Sequence, residues 1–163
     1  MEERNSHPLL TLAGIGLGMY AAARFAARRV RRMDFTNKVV VITGGSRGLG
    51  LLLARRFGDE GARLVIAARD EEELRRAERD LRDRGVRDIS IVPCNIRLKN
   101  DVENLIRTAV ETFGGVDVLV NNAGVISVGP AELMTELDYD EQMDVHFWGP
   151  LHAIQAVLPV MRA

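Results

Sequence analysis

A glycine-rich segment, Thr43–Gly50, is the part of the sequence whose residue types and spacing best fit a chemical task. It reads Thr-Gly-Gly-Ser-Arg-Gly-Leu-Gly and lies between a strand-like and a helix-like apolar pattern. Gly44 permits a tight turn, Gly48 lets the backbone approach a pyrophosphate, and Gly50 allows the helix to pack closely on the strand. The N–H groups at a helix start attract phosphate. The segment predicts a phosphate-binding turn; a glycine-rich turn without a ligand is the alternative.

The elements that would position this turn alternate along the chain. Strands are predicted at 38–43, 63–68, 89–93 and 116–120, and helices at 49–60, 70–84, 100–113 and 138–161, the last interrupted near Gly149-Pro150. Such alternation requires a parallel sheet with helices on both faces and right-handed crossovers. We therefore expect an α/β fold with a doubly wound, Rossmann-like sheet, truncated after the fifth helix and preceded by an N-terminal hydrophobic helix.

Composition excludes several classes of protein. A chain of 163 residues with 47% apolar and 28% charged residues is long and apolar enough for one domain with a buried core, so disorder is not expected. The net charge of -1 argues against a nucleic-acid partner, which would require a basic surplus. Cys94 is the single cysteine, so no disulfide can form within the chain. The cysteine and the three histidines lack metal-site spacing, and we predict no metal.

The first 33 residues differ from the rest of the chain. Residues 8–23 carry no charge, and Arg24 and an arginine cluster at 28–32 follow them. We predict a single N-terminal membrane anchor in 1–33, with the domain of 34–163 on the cytoplasmic face of the membrane. An amphipathic helix on the membrane surface and a helix packed on a soluble cytoplasmic domain are the alternatives.

A second motif, Asn121-Asn122-Ala123-Gly124, directly follows the fourth predicted strand. Together with the glycine turn it makes residues 34–163 resemble the N-terminal part of the short-chain dehydrogenase/reductase family. The resemblance implies that this half binds the adenosine end of a nicotinamide cofactor. It also implies that the second motif stabilises the central sheet, with Asn122, Ala123 and Gly124 beside the ribose and nicotinamide.

The choice between the two nicotinamide cofactors can be argued from charge. An acidic residue at the end of the second strand would bind the ribose 2′-OH of NAD and repel a 2′-phosphate. Arg69 stands there instead, and Arg47 in the glycine turn adds a second cation. Both favour NADP(H) over NAD(H). The alternative is that the arginines are solvated surface charges, and Asp70 follows Arg69 immediately.

Two predicted site residues depart from the family's pattern. Asn95 stands where the family usually has an aspartate that holds the adenine amine, and it keeps an acceptor oxygen. His146 stands where the family usually has an asparagine that orients a water in the proton relay; it is given a supporting catalytic role, with a structural histidine as the alternative. The resemblance implies this cofactor-binding set: Gly44, Ser46, Arg47, Gly48, Leu49, Gly50, Arg69, Asn95, Ile96, Asn122, Ala123 and Gly124.

The family's catalytic tyrosine, with a lysine four residues later, has no match in this sequence. Tyr20 and Tyr139 are followed at that spacing by Arg24 and Met143. We therefore expect an NADP(H)-dependent oxidoreductase that interconverts a small carbonyl compound and an alcohol in its complete form, with this chain an inactive fragment. A non-catalytic NADP(H)-binding half-domain, or a decoy that pairs with an intact relative, is the alternative. Because the last helix often forms a subunit interface in such relatives, a homo-oligomer is a further expectation.

Overall fold

A computed structural model of the chain describes residues 33–163 together with Gly16, residues 18–20 and Arg24. The chain divides into two units, Met1–Asp34 and Phe35–Ala163. Of the described positions of the first unit, Gly16, residues 18–20 and Arg24 are helical, and Met33 and Asp34 are not. Most of the predicted anchor and its hydrophobic helix lie outside the described residues. Within the described part of the chain, no helix combines the length and the apolar character that crossing a membrane requires.

The second unit alternates strands and helices in the predicted order. Its elements are β1 Val39–Thr43, α1 Gly48–Asp59, β2 Arg63–Ala68, α2 Glu71–Asp83, β3 Ile89–Pro93, α3 Lys99–Phe113, β4 Val118–Val120, α4 Glu136–Met143 and α5 Gly149–Arg162. The fourth strand is shorter than predicted, because it begins after Asp117 rather than at Val116. The other predicted strand and helix ends before residue 114 lie within one residue of the observed ones.

The sheet is parallel, with the strand order β3-β2-β1-β4. Val40 of β1 lies opposite Leu64 of β2 on one side and opposite Val118 of β4 on the other. The chain moves outward from β1 through β2 to β3 and then returns to the far side of β1 for β4. The sheet is therefore doubly wound as predicted, and the reversal between β1 and β4 creates the crevice where such folds bind ligands.

Two hydrophobic cores cover the two faces of the sheet. Because strand side chains alternate between faces, Val40 and Ile42 belong to one core, with residues of α1 and α2, while Val41 belongs to the other, with residues of α3 and α5. All five β1 residues are buried. A strand buried on both faces reads as a continuous apolar run, and this is why the strand pattern was clear in the sequence.

The last helical stretch begins earlier than predicted and contains a wider turn. A capping box between Thr135 and Asp138 starts α4 at Glu136, ahead of the predicted start at 138. Residues Asp144–Trp148 form a π-helical segment between α4 and α5. Pro150 has no N–H to give the helical ladder, and the N–H of Gly149 bonds to the carbonyl of Asp144, five residues back. The predicted interruption is thus a π-turn just before the Gly-Pro pair.

Candidate functional site

A cavity of about 610 Å³ opens at the carboxyl ends of the strands. Thr43 of β1, Ala68 of β2, Cys94 after β3 and Asn122 after β4 all line it. It is therefore built at the reversal point of the sheet, where a doubly wound fold binds its ligand. Ten residues of the predicted cofactor set line this cavity: Gly44, Ser46, Arg47, Leu49, Arg69, Asn95, Ile96, Asn122, Ala123 and Gly124.

The two remaining residues of the predicted set, Gly48 and Gly50, shape the turn without lining the cavity. Gly48 has a φ of +55°, and a Cβ there would meet no atom of the described chain within 4 Å. A Cβ on Gly50 would collide with the carbonyl oxygen of Gly44. The helix thus packs on the turn so closely that only glycine fits at Gly50, whereas the backbone at Gly48 is open to an approaching group.

The N-terminus of α1 is suited to an anion. Arg47 occupies the cap position, and among the described residues no side chain accepts hydrogen bonds from the first N–H groups of the helix. The first turn also contains no acidic residue. Free N–H groups and the positive end of the helix dipole therefore remain for a ligand such as a phosphate.

Thr43 and Asn122 fasten the glycine turn to the segment after β4. The hydroxyl of Thr43 accepts the N–H groups of Asn122 and Ala123 at 3.0 and 3.1 Å and donates to the carbonyl of Val120 at 3.3 Å. The Asn122 side-chain amide donates to the carbonyls of Thr43 and Gly44 at 3.0 and 3.1 Å. The two sequence motifs therefore form one hydrogen-bonded unit. Thr43, within the motif but outside the predicted set, is buried at its centre.

A charged rim, composed of Ser46, Arg47, Arg69, Asp70 and Glu73, lines one side of the cavity. Glu73 accepts the Ser46 hydroxyl at 3.0 Å and an Arg47 guanidinium N–H at 3.3 Å. Asp70 caps α2 by accepting the N–H of Glu73 at 2.9 Å. The sequence prediction included the two arginines and the serine but missed Glu73. The available signal was its position three residues after Asp70, in the first turn of α2.

Asn95 and Cys94 lie on the side of the cavity after β3. The Asn95 side-chain oxygen accepts the N–H of Arg97 at 3.2 Å, which forms a local turn, and the Asn95 N–H donates to Asp101 at 2.9 Å. A carbonyl oxygen has two lone pairs, so this oxygen retains acceptor capacity. Burial raises the pKa of the Cys94 thiol to about 12, and the neutral thiol is therefore a small apolar side chain rather than a nucleophile.

His146 lies in the π-helical segment and contacts the loop that follows β4. Its Nε2 is 2.7 Å from the carbonyl oxygen of Val125. Because that oxygen can only accept, Nε2 must carry a proton, and in the neutral ring Nδ1 is left as an acceptor. The ring also lies against Gly124, where a Cβ would be 3.0 Å from its Cε1. His146 thus holds the end of the Asn-Asn-Ala-Gly segment, and its catalytic support stays a prediction.

The described part of the chain offers no candidate site for a metal ion. Among the residues that the structure describes, no group of three or more histidine, cysteine, aspartate or glutamate side chains could hold a metal ion.

Comparison with known proteins agrees with this geometry. Residues 38–163 match the model of a family described as short chain dehydrogenase. The chain is 38% identical over 130 residues to the uncharacterized oxidoreductase YxnA of Bacillus subtilis, covering 80% of this chain and 36% of that protein. The chain spans between about a third and about a half of the length of the curated relatives it matches.

Solved structures share the fold, among them one from Burkholderia phymatum and one from Gluconobacter frateurii. A short chain dehydrogenase/reductase from Burkholderia phymatum in complex with NAD has a TM-score of 0.76 at 32% identity, covering 80% of this chain and 46% of that one. The L-sorbose reductase from Gluconobacter frateurii, complexed with NADPH and L-sorbose, has a TM-score of 0.74 at 32% identity, covering 80% of this chain and 50% of that one.

Proposed function

Because the chain belongs to the short chain dehydrogenase family, we propose that its complete form is an NADP(H)-dependent oxidoreductase that interconverts a small carbonyl compound and an alcohol. The observation that supports this most is the cavity at the carboxyl ends of all four strands, where both sequence motifs meet. Hydrogen bonds join the two motifs through Thr43 and Asn122. A cavity of this size and position suits an extended dinucleotide.

Each part of the dinucleotide has a matching part of the cavity wall. The pyrophosphate would lie at the uncapped N-terminus of α1, where the open backbone at Gly48 leaves room for it. Asn95 and Ile96 would border the adenine, and Asn122, Ala123 and Gly124 the ribose and nicotinamide. The nicotinamide ring would supply the hydride chemistry. The residues of this chain bind and orient the cofactor.

The family's catalytic pair of a tyrosine and a lysine has no match in this chain. Neither of its tyrosines precedes a lysine at the required spacing. We assign to residues 34–163 the role of a nucleotide-binding part, with His146 as a supporting residue. Reading the coding sequence beyond Ala163 tests the enzymatic proposal: a serine followed by Tyr-x-x-x-Lys in frame supports it, and a stop codon contradicts it.

The preference for NADP(H) is proposed from the two arginines of the charged rim. Arg69 is exposed at the end of β2, and Arg47 is exposed at the start of α1. A guanidinium binds phosphate through paired N–H donors, so a 2′-phosphate would gain charge-assisted hydrogen bonds that a 2′-OH cannot.

Calorimetric titration of the full chain with NADP⁺ and NAD⁺ tests this site. We expect NADP⁺ to bind about tenfold more tightly, because a charge-assisted phosphate contact contributes about 1.5–3 kcal/mol before screening by water. Arg69→Gln should remove most of that difference, whereas the matched change Arg87→Gln, at an exposed position before β3, should not. Absence of binding by either nucleotide would contradict the cofactor site; equal affinity would contradict only the NADP preference.

We also propose that residues 1–33 attach the protein to the cytoplasmic face of a membrane, because an uncharged stretch at 8–23 precedes an arginine cluster. Flotation of the full chain with vesicles that contain anionic lipid tests this. Co-flotation that survives high salt supports an inserted anchor. Recovery in the protein-only fraction under all conditions contradicts membrane attachment.

A further inference from the structure

Glu73 joins two residues of the glycine turn to the first turn of α2. Its carboxylate oxygens accept the Ser46 hydroxyl at 3.0 Å and the Arg47 guanidinium at 3.3 Å, across 27 and 26 residues of sequence. Ser46 is buried, whereas the Arg47 side chain is 80% exposed and that of Glu73 is 22% exposed. Glu73 is thus the less exposed member of its ion pair with Arg47, and this pair holds the arginine beside the cavity wall.

The position of Glu73 matters because the same rim would receive a 2′-phosphate. Arg47 and Arg69 are the cations of the charged rim, and Asp70 and Glu73 are its anions. The formal charge of the rim is therefore balanced. Asp70 is occupied as the cap of α2, so Glu73 is the anion that directly engages a cation of the rim. A carboxylate bound to Arg47 Nη1 competes with a phosphate for that N–H donor.

We propose that Glu73 is a specificity-determining residue of this site that lowers its preference for the 2′-phosphorylated dinucleotide. The carboxylate engages one guanidinium nitrogen of Arg47 and adds negative charge where the 2′-phosphate would lie. This inference rests on the proposed nucleotide site. At that site the two arginines favour NADP(H), and Glu73 limits the size of that preference.

The neighbouring glutamates of the same helical turn provide a comparison. Glu71 pairs with Arg75 at 2.6 Å along the surface of α2. Glu72 lies beside Arg75, Arg76 and Arg79 in a shallow surface depression outside the cavity. Glu73 alone among the three lines the cavity. Replacing Glu72 with glutamine therefore changes the net charge of the protein as Glu73→Gln does, but leaves the charge of the rim unchanged.

The experiment compares two ligands that differ only in the phosphate of interest. Adenosine 2′,5′-bisphosphate and adenosine 5′-monophosphate are titrated into the full chain, its Glu73→Gln variant and the control Glu72→Gln. A glutamine oxygen still accepts the Ser46 hydroxyl, so the turn keeps its hydrogen bond. We expect Glu73→Gln to raise the affinity ratio in favour of the bisphosphate by about tenfold, as removal of one charge near a dianion predicts at intermediate dielectric. Glu72→Gln should change the ratio by less than about twofold.

The ratio separates specificity from damage to the fold, because a distorted turn weakens both ligands together. Glu73→Ala, which also removes the Ser46 bond, should shift the ratio in the same direction. An unchanged or lowered ratio in both Glu73 variants, with the monophosphate still bound, overturns this inference and leaves the nucleotide site intact. If neither ligand binds the full chain, the proposed cofactor site fails, and the inference fails with it.

Discussion

The two ends of β1 are both fastened to the chain around β4, but by different chemistry. At the amino end, the Asp117 carboxylate accepts the Lys38 ammonium and the Val39 N–H, each at 2.8 Å. At the carboxyl end, Thr43 and Asn122 exchange uncharged hydrogen bonds at 3.0 Å. The amino end is a half-exposed ion pair, whereas the carboxyl end is a part-buried neutral network below the cavity.

This difference indicates that the two ends of β1 have separate roles. A half-exposed ion pair adds modest stability and tolerates changes in geometry, because water solvates both charges when they separate. A neutral network fixes the backbone of the glycine turn without placing a fixed charge beside the phosphates that the turn is proposed to bind. We therefore expect changes at the amino end to affect stability alone, and changes at the carboxyl end to affect both stability and nucleotide binding.

Gly50→Ala should have the largest effect. Its Cβ would collide with the Gly44 carbonyl, and the Asn122 amide nitrogen would be 2.6 Å away. We expect a loss of about 3 kcal/mol in the free energy of unfolding, measured by urea titration, together with loss of NADP⁺ binding. Gly115→Ala is the matched control, because a Cβ there meets nothing within 4 Å. Wild-type stability in Gly50→Ala would contradict the close packing.

Asn122→Asp should rank second. The replacement keeps the shape but removes both N–H donors and directs a carboxylate at the carbonyls of Thr43 and Gly44. We expect a loss of about 2 kcal/mol in the free energy of unfolding and at least a tenfold weaker NADP⁺ affinity, because two part-buried acceptors lose their partner. The same change at the exposed neighbour Asn121 should leave both quantities near wild type. Equal effects at Asn121 and Asn122 would contradict the proposed role of the hydrogen-bond network between Asn122 and Thr43.

Asp117→Asn should cost less and should depend on pH. The hydrogen bond from Lys38, and then that from the Val39 N–H, holds the pKa of Asp117 below its ordinary value. A lowered folded-state pKa stabilises the protein above the unfolded aspartate pKa near 4, and this contribution is lost as pH falls through the folded value. We expect a loss of about 1 kcal/mol near neutral pH that shrinks toward about pH 3.

The Asp117 prediction is checked by urea unfolding at several pH values, with Asp88→Asn as an exposed control that changes the same charge. NADP⁺ affinity should remain at the wild-type value in Asp117→Asn. A pH-independent difference in stability would show that the charge of Asp117 is irrelevant. Weakened nucleotide binding would contradict the expectation that changes at the amino end of β1 affect stability alone.

Lys38→Met should have the smallest effect. It removes the ammonium while Asp117 keeps its hydrogen bond to the Val39 N–H. We expect a loss of about 0.5 kcal/mol, which a urea titration in about 1 M NaCl should abolish because salt screens exposed pairs. A loss as large as that of Asp117→Asn would indicate that the ion pair, rather than the backbone contact, secures this end of the strand.

The sequence predicted most elements of the second unit well, because β1 and β2 are buried on both faces and α2 and α3 have buried apolar faces. Ten of the twelve predicted site residues line one cavity in the structure, since parallel strands bring their carboxyl ends to one edge; their binding of a cofactor stays a prediction. The prediction was poorest for the last helix. The capping box at Thr135 and the π-turn before Pro150 depend on local hydrogen bonds that apolar periodicity does not record.

The sequence by itself determined the parallel α/β fold, the glycine turn at a helix start, and the positions of the two arginines. These features follow from residue types at fixed spacing, so local rules suffice to read them. Only the tertiary structure decided which distant groups meet: Glu73 with Ser46 and Arg47, Asn122 with Thr43, and His146 with Val125. Such contacts join segments 21 to 79 residues apart, and packing of the sheet and helices, which no local pattern encodes, sets their geometry.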